Sequence, residues 1–291
     1  MSRVAILGTA TADQVFRLSA AFEQEGTIAV RRVTQARAGG APVYTGAALT
    51  QRGHEASPVF DLGDDADGSM ILNACRRAGM PIDAIAIQPD GSTSSCLLVY
   101  AADGRDFCLF DPGRLASAPL TDAQASAVER AEMVVIAATD ASRVEHILDR
   151  LRPDQRLVWI FKHDPNCFPD RLCRQLMQRA DIVFHNRAEA ALVEGWLSLA
   201  GPDMLRIRTS GGDGVRIAYG ALTIDVPTRS LRLADPTGAG DSFAGYMLAA
   251  LLDGADRVDA AHKALSATAA FLIDDNRCAD PAGRGEREQN A

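Results

Sequence analysis

Short apolar runs alternate with amphipathic stretches over most of the chain. Residues 4–8 (VAILG), 133–138 (MVVIAA), 157–161 (LVWIF), 181–186 (DIVFHN) and 205–210 (LRIRTS) are brief, apolar and rich in β-branched side chains. Each closes in small or polar residues, as buried strands do. Between them, residues 68–78, 142–151, 171–179 and 188–199 carry apolar positions at helical spacing. Buried strands separated by helices predict an α/β fold with a central, mostly parallel sheet and helices on both faces.

Two stretches break the alternation. Residues 27–33 (TIAVRRV) and 95–110 (SCLLVYAADGRDFCLF) contain no helical pattern, and the second reads as two strands joined across Ala102-Asp103-Gly104. They predict a small accessory β-sheet outside the main one. After Asp274 the chain turns polar, with Gly, Pro and charge, and its end is expected to be mobile.

Composition narrows the function classes. The 291 residues are 47% hydrophobic and 23% charged, an ordinary globular balance. A net charge of −8 without a clustered basic face argues against a nucleic-acid partner. The first apolar run breaks at Gly8, too soon for a signal sequence, and no window approaches the ~20 apolar residues of a membrane span. The six cysteines are dispersed without metal-ligand spacing, which points to reduced thiols and a cytoplasmic protein.

The most informative segment is LADPTGAGDSFAGYMLAALLDG, residues 233–254. Phe243, Met247, Leu248, Leu251 and Leu252 recur at helical spacing and Gly254 offers a stop, so a helix begins near Asp241. Gly238, Ala239 and Gly240 precede it. Such small residues let the backbone approach an anion, with free N–H groups and the positive end of the helix dipole facing it. Asp241 has two readings here: a helix N-cap, or a base that accepts a proton from an attacking hydroxyl.

DPTGAGDSF (235–243) resembles the signature D-[ST]-x-G-A-G-D-x-F of the ribokinase-like (PfkB) carbohydrate kinase family. The resemblance runs from about Val4 to about Ile273. It implies one kinase domain over residues 1–275, with lid segments near 13–38 and 93–110 inserted and a flexible tail at 276–291. It implies ATP and Mg²⁺ as cofactors, a sugar, sugar derivative or nucleoside as acceptor, Asp241 as base and Gly238, Ala239 and Gly240 as the phosphate cradle. A K⁺ site at Asp235 and a homodimer also follow from it.

Other segments fall in the family's order. Asp13 in GTATAD resembles the aspartate that binds acceptor hydroxyls, and Gly39-Gly40 the di-glycine where the lid joins the main domain. LGDDADG (62–68) resembles a family motif read as substrate-side scaffolding. Asn186 and Glu189 in FHNRAEA resemble N-x-x-E, whose side chains reach Mg²⁺-bound water; taken alone they read as a helix cap and a first-turn acid. Asp164-Pro165-Asn166 resembles D-P-N, and TSGGDG, with Thr209, Gly211 and Gly214, resembles the nucleotide loop. The helix at 262–272 corresponds to one bordering adenine, where Ala267 would leave room for a flat base or serve helix packing.

The substrate side departs from ribokinase. Ala41 stands at the family's Lys position and Tyr44 at its sugar-contacting Asn. Tyr44 stacks on a larger acceptor in one reading and points into the core in the other. Two functions compete: a kinase, and a weakly active or non-catalytic binder on the same fold. An NAD-dependent dehydrogenase is disfavoured, because GTATAD lacks the glycines of the dinucleotide fingerprint.

Overall fold

A computed structural model describes residues 1–18, 30–32, 35–101, 106–231, 233 and 235–274. The first half contributes strands β1 (Arg3–Leu7), β2 (Thr11–Leu18), β3 (Val30–Arg32), β4 (Arg37–Gly39), β5 (Glu55–Gly63), β6 (Ile85–Gln88), β7 (Ser95–Tyr100) and β8 (Asp106–Asp111). The second half adds β9 (Met133–Ile136), β10 (Arg156–Ile160), β11 (Ile182–Asn186), β12 (Leu205–Thr209), β13 (Val215–Tyr219) and β14 (Leu222–Val226). The helices are α1 (Ala41–Gln51), α2 (Ala66–Arg77), α3 (Asp122–Arg130), α4 (Ala141–Leu148), α5 (Asp170–Arg179), α6 (Ala190–Gly195), α7 (Ala239–Leu252) and α8 (Arg257–Asp274).

The large sheet has nine strands in the order β14-β13-β12-β11-β10-β9-β1-β5-β6. Every pairing from β6 to β12 is parallel, and the β12-β13-β14 edge is antiparallel. The period of two along each strand puts the apolar side chains of the sheet into separate cores on its two faces. On β1, Val4 and Ile6 pack with α1, α7 and α8, whereas Ala5 and Leu7 pack with α3, α4 and α5. The predicted central sheet with helices on both faces is therefore present.

The two helix-free stretches supply β3, β7 and β8 of the second sheet, whose order is β3-β2-β7-β8; its central strand β2, and β4, which also pairs with β2, come from outside them. The turn expected across Ala102-Asp103-Gly104 and the tail at 276–291 lie outside the described residues. Segment 188–199 is not one helix: α6 ends at Gly195 and a single 3-10 turn follows at Leu197–Leu199. The motif at 62–68 is structural. Asp65 caps α2 by accepting from the Gly68 N–H at 2.7 Å, and it accepts from the Thr93 N–H and hydroxyl, each at 2.7 Å.

Candidate active site

The C-terminal ends of the parallel strands meet at a cavity of about 500 Å³. Thr9 follows β1, Ala137 follows β9, Lys162 follows β10, Asn186 ends β11 and Thr209 ends β12, and all five line it. The crevice outside such strand ends is where open α/β sheets place ligands. The small sheet covers the opening with Asp13, Cys96, Leu98, Cys108 and Phe110, and the start of α7 forms the far wall.

Asp13 is held with little freedom. It is 3% exposed and its Oδ1 accepts from the Thr11 hydroxyl at 2.6 Å. Burial raises its pKa, with the Thr11 bond and the Arg37 charge opposing. A Cβ at Gly39 would lie 1.9 Å from Asp13 Oδ2, so only glycine there admits the carboxylate. Gly40, at φ 92°, then turns the chain into α1, and a Cβ on it would meet the Thr9 carbonyl at 2.2 Å.

The α7 turn is open to an anion. Gly238 is the N-cap, in the left-handed region at φ 76°, and no side chain caps the helix. The Ala239 N–H is spent on the Pro236 carbonyl and the Ser242 N–H on the Gly238 carbonyl. Among the described residues, the N–H groups of Gly240 and Asp241 have no acceptor, which leaves two first-turn donors for a ligand. Asp241 is thus not the cap but the third residue of the helix. Its carboxylate has no hydrogen-bond donor among the described residues, and its pKa is pushed up to about 6, chiefly by burial. The Lys162 charge opposes that shift, whereas Asp13 and Glu189 reinforce it.

Asn186 and Glu189 form a reciprocal pair at the β11–α6 junction. Asn186 Oδ1 accepts from the Glu189 N–H at 3.0 Å, and Glu189 Oε2 accepts from the Asn186 N–H at 2.8 Å. Glu189 Oε1 takes the His163 N–H at 3.2 Å. Both side chains line the cavity, while α6 takes Glu189 as its N-cap residue with no side chain capping the helix. Among the described residues no cluster of three His, Cys, Asp or Glu could grip a metal directly. Glu189 fits Mg²⁺ only through lone pairs left for bridging water.

A second cavity of about 430 Å³ lies on the other side of the α7 turn, lined by Thr209, Gly211, Gly214 and the α8 residues Leu265, Thr268 and Ala269. Thr209 and Gly240 line both cavities. The two chambers thus join at the helix N-terminus that carries Asp241.

The model of the pfkB family carbohydrate kinases matches residues 1–282. The chain belongs to this family. It is 26% identical over 280 residues to the nucleoside kinase of Methanothermobacter thermautotrophicus, covering 92% of this chain and 88% of that one. Its similarity to the ribokinase of Bacillus subtilis is also 26% identity, over 88% of each chain. Among solved structures it resembles Methanocaldococcus jannaschii nucleoside kinase, with a TM-score of 0.77, 18% identity and coverage of 94% and 92% of the two chains. Burkholderia thailandensis nucleoside kinase in complex with inosine gives a TM-score of 0.73 at 20% identity, covering 91% and 89%.

Within this kinase frame, the structure bears on three residues whose readings the sequence left open or took from the resemblance. Ala267 does not line the cavity of about 430 Å³: α8 turns Leu265, Thr268, Ala269 and Leu272 toward it, and Ala267 packs in the core, in line with its helix-packing reading. Tyr44 is 7% exposed, and its ring lies against Gly238, where a Cβ would come within 2.6 Å, and edge-on to Phe271 at 6.2 Å. It props the α7 turn and also lines the cavity of about 500 Å³. Asp235 does not fit K⁺, because Arg37 Nη2 sits 2.5 Å from Oδ2 and the Thr237 N–H donates to Oδ1 at 3.0 Å.

One residue escaped the sequence reading altogether. Lys162 lines the cavity at the strand ends, and its charge bears on Asp13, Glu189 and Asp241 together. Phe161, packed between Trp159 at 5.0 Å and Trp196 at 5.7 Å, anchors the chain just before it leaves the sheet. The available signal was rarity: Lys162 and Lys263 are the only lysines among 30 Lys and Arg residues.

Proposed function

We propose that this kinase transfers the γ-phosphoryl group of ATP to a hydroxyl of a nucleoside or a closely related ribosyl compound, with Asp241 as the base. The observation that carries this reading is the junction of two chambers at the α7 N-terminus, with Asp241 on the acceptor side. ATP would lie in the chamber lined by Gly211, Gly214 and Thr268, its terminal phosphate against the free N–H groups of Gly240 and Asp241. Phosphoryl transfer asks the protein for position and charge stabilisation rather than covalent chemistry. The two amides and Lys162 would stabilise the transferring group while Asp241 takes the acceptor proton.

Mg²⁺ arriving on the phosphates would supply further charge neutralisation, with Asn186 and Glu189 holding its waters. Asp13, backed by Gly39, would accept from the acceptor's hydroxyls. The nucleoside preference rests on the rest of the wall, where Leu98, Phe110 and Phe161 present apolar surface suited to a base. Cys96 adds to it: its Sγ lies 3.7 Å from that of Cys108, and this contact with burial raises its pKa and keeps it a neutral thiol. Residues 1–275 would act as one catalytic unit, and the exposed Leu97 and Leu109, opposite each other on the outer lid face, favour a homodimer.

ADP release with ATP and Mg²⁺ across nucleosides, ribose, fructose and sugar acids tests the proposal. A nucleoside should give the highest kcat/KM, and Asp241→Asn should lower kcat by ~10² to 10⁴. A hexose as best acceptor would overturn the preference. Near-normal turnover in the variant would overturn the base.

A further inference from the structure

A carboxylate buried beside the phosphate turn needs a compensating charge, and the family resemblance puts a monovalent cation at that point. The chain supplies one itself. Asp235 is 1% exposed, and the Arg37 guanidinium reaches its Oδ2 at 2.5 Å from β4, a strand remote in sequence. The Thr237 N–H takes Oδ1 at 3.0 Å, whereas Oδ2 and the guanidinium Nη2 face each other as an ion pair, with no hydrogen bond on either atom among the described residues. Cross-strand register sets Arg37 opposite Asp13, so one guanidinium stands between the acceptor carboxylate and the turn carboxylate. A K⁺ ion requires oxygen ligands and repels a fixed positive charge at this distance.

We propose that Arg37 is a tethered replacement for the monovalent cation, so that this kinase holds its phosphate turn without K⁺. The guanidinium is pinned at the lid root, where the chain leaves β2's partner strand for Gly39 and Gly40. It therefore neutralises Asp235 and also links the strand carrying the acceptor contact to the turn carrying Gly238–Asp241. The activity arm of the test rests on the kinase reading, whereas the stability arm does not.

Wild type, Arg37→Ala and Arg37→Lys are compared in KCl and in choline chloride at equal ionic strength. Melting temperature and acceptor-dependent ADP release are the two readouts. Wild type and Arg37→Lys should be indifferent to the salt in both. Arg37→Ala should lose at least ~10-fold in turnover in choline, because a buried charge is left unpaired. K⁺ should restore much of that turnover and raise the melting temperature of this variant alone. If Arg37→Ala folds only in K⁺, the proposal is equally supported. Activation or stabilisation of wild type by K⁺ over choline overturns it, as does an Arg37→Ala protein that ignores K⁺ in both readouts. Should no acceptor give ADP release, the kinase reading fails while the melting comparison still decides the role of Arg37.

Discussion

Asp241 shows how one side chain's chemistry depends on its surroundings. Burial pushes its pKa up to about 6, Asp13 and Glu189 add to the shift, and Lys162 restrains it. A general base works only when ionised, so kcat/KM should fall as pH drops through about 6. Lys162→Gln removes the restraint, and the acidic limb should move to higher pH while kcat falls roughly ten- to a hundred-fold. An unmoved limb would show that Lys162 does not act on the base. Asp241 and its glycines were legible because a backbone phosphate turn needs a contiguous run of small residues. Lys162 was not, because three-dimensional convergence at strand ends leaves no local spacing to read. Arg37 was hidden for the same reason, since the partner it neutralises lies almost two hundred residues away along the chain.

At the scale of elements, the β4–α1 junction decides where the acceptor carboxylate sits. Gly39→Ala would place a Cβ 1.9 Å from Asp13 Oδ2 and drive the carboxylate out of position. The acceptor KM should rise roughly ten- to a hundred-fold with the ATP KM almost unchanged. Equal damage to both constants would mean that the junction serves folding alone. The strands beneath this junction were readable from their short β-branched runs, and α7 from its apolar spacing. Helix α1 was not. Val43, Tyr44, Thr45, Ala48 and Leu49 are all buried, so it shows no polar face, and Gly46 further weakens its pattern. Its burial has a cause: a Cβ at Gly245 of α7 would meet the Thr45 carbonyl at 2.6 Å, and Thr45 donates its hydroxyl to the Asp241 carbonyl at 3.0 Å. The helix that props the catalytic turn is therefore the one that amphipathicity misses.

At the scale of the whole molecule, three contacts among the described residues fasten the small sheet to the α7 turn and the segment before it. Arg17 donates to the Leu233 carbonyl at 3.1 Å, the Tyr100 and Thr237 hydroxyls lie 2.9 Å apart, and Arg37 meets Asp235. The inner lid face thus closes on the site, and the outer face is left with Leu97 at 40% and Leu109 at 59% exposure. Pairing of two such faces would remove apolar surface from water. Light scattering should give twice the chain mass, and Leu109→Glu should shift the population to monomer. A wild-type protein that stays monomeric at every concentration would exclude the homodimer.

The contact between Gly39 and Asp13 also sets a rule for descent. The space that a methyl group at position 39 would need is filled by the carboxylate at position 13. A lineage that keeps the aspartate cannot change residue 39, whereas one that first shortens residue 13 releases it. The two positions, one on each of two paired strands, should drift as a unit, and a switch of acceptor that begins at Asp13 opens the door to side chains at the lid root.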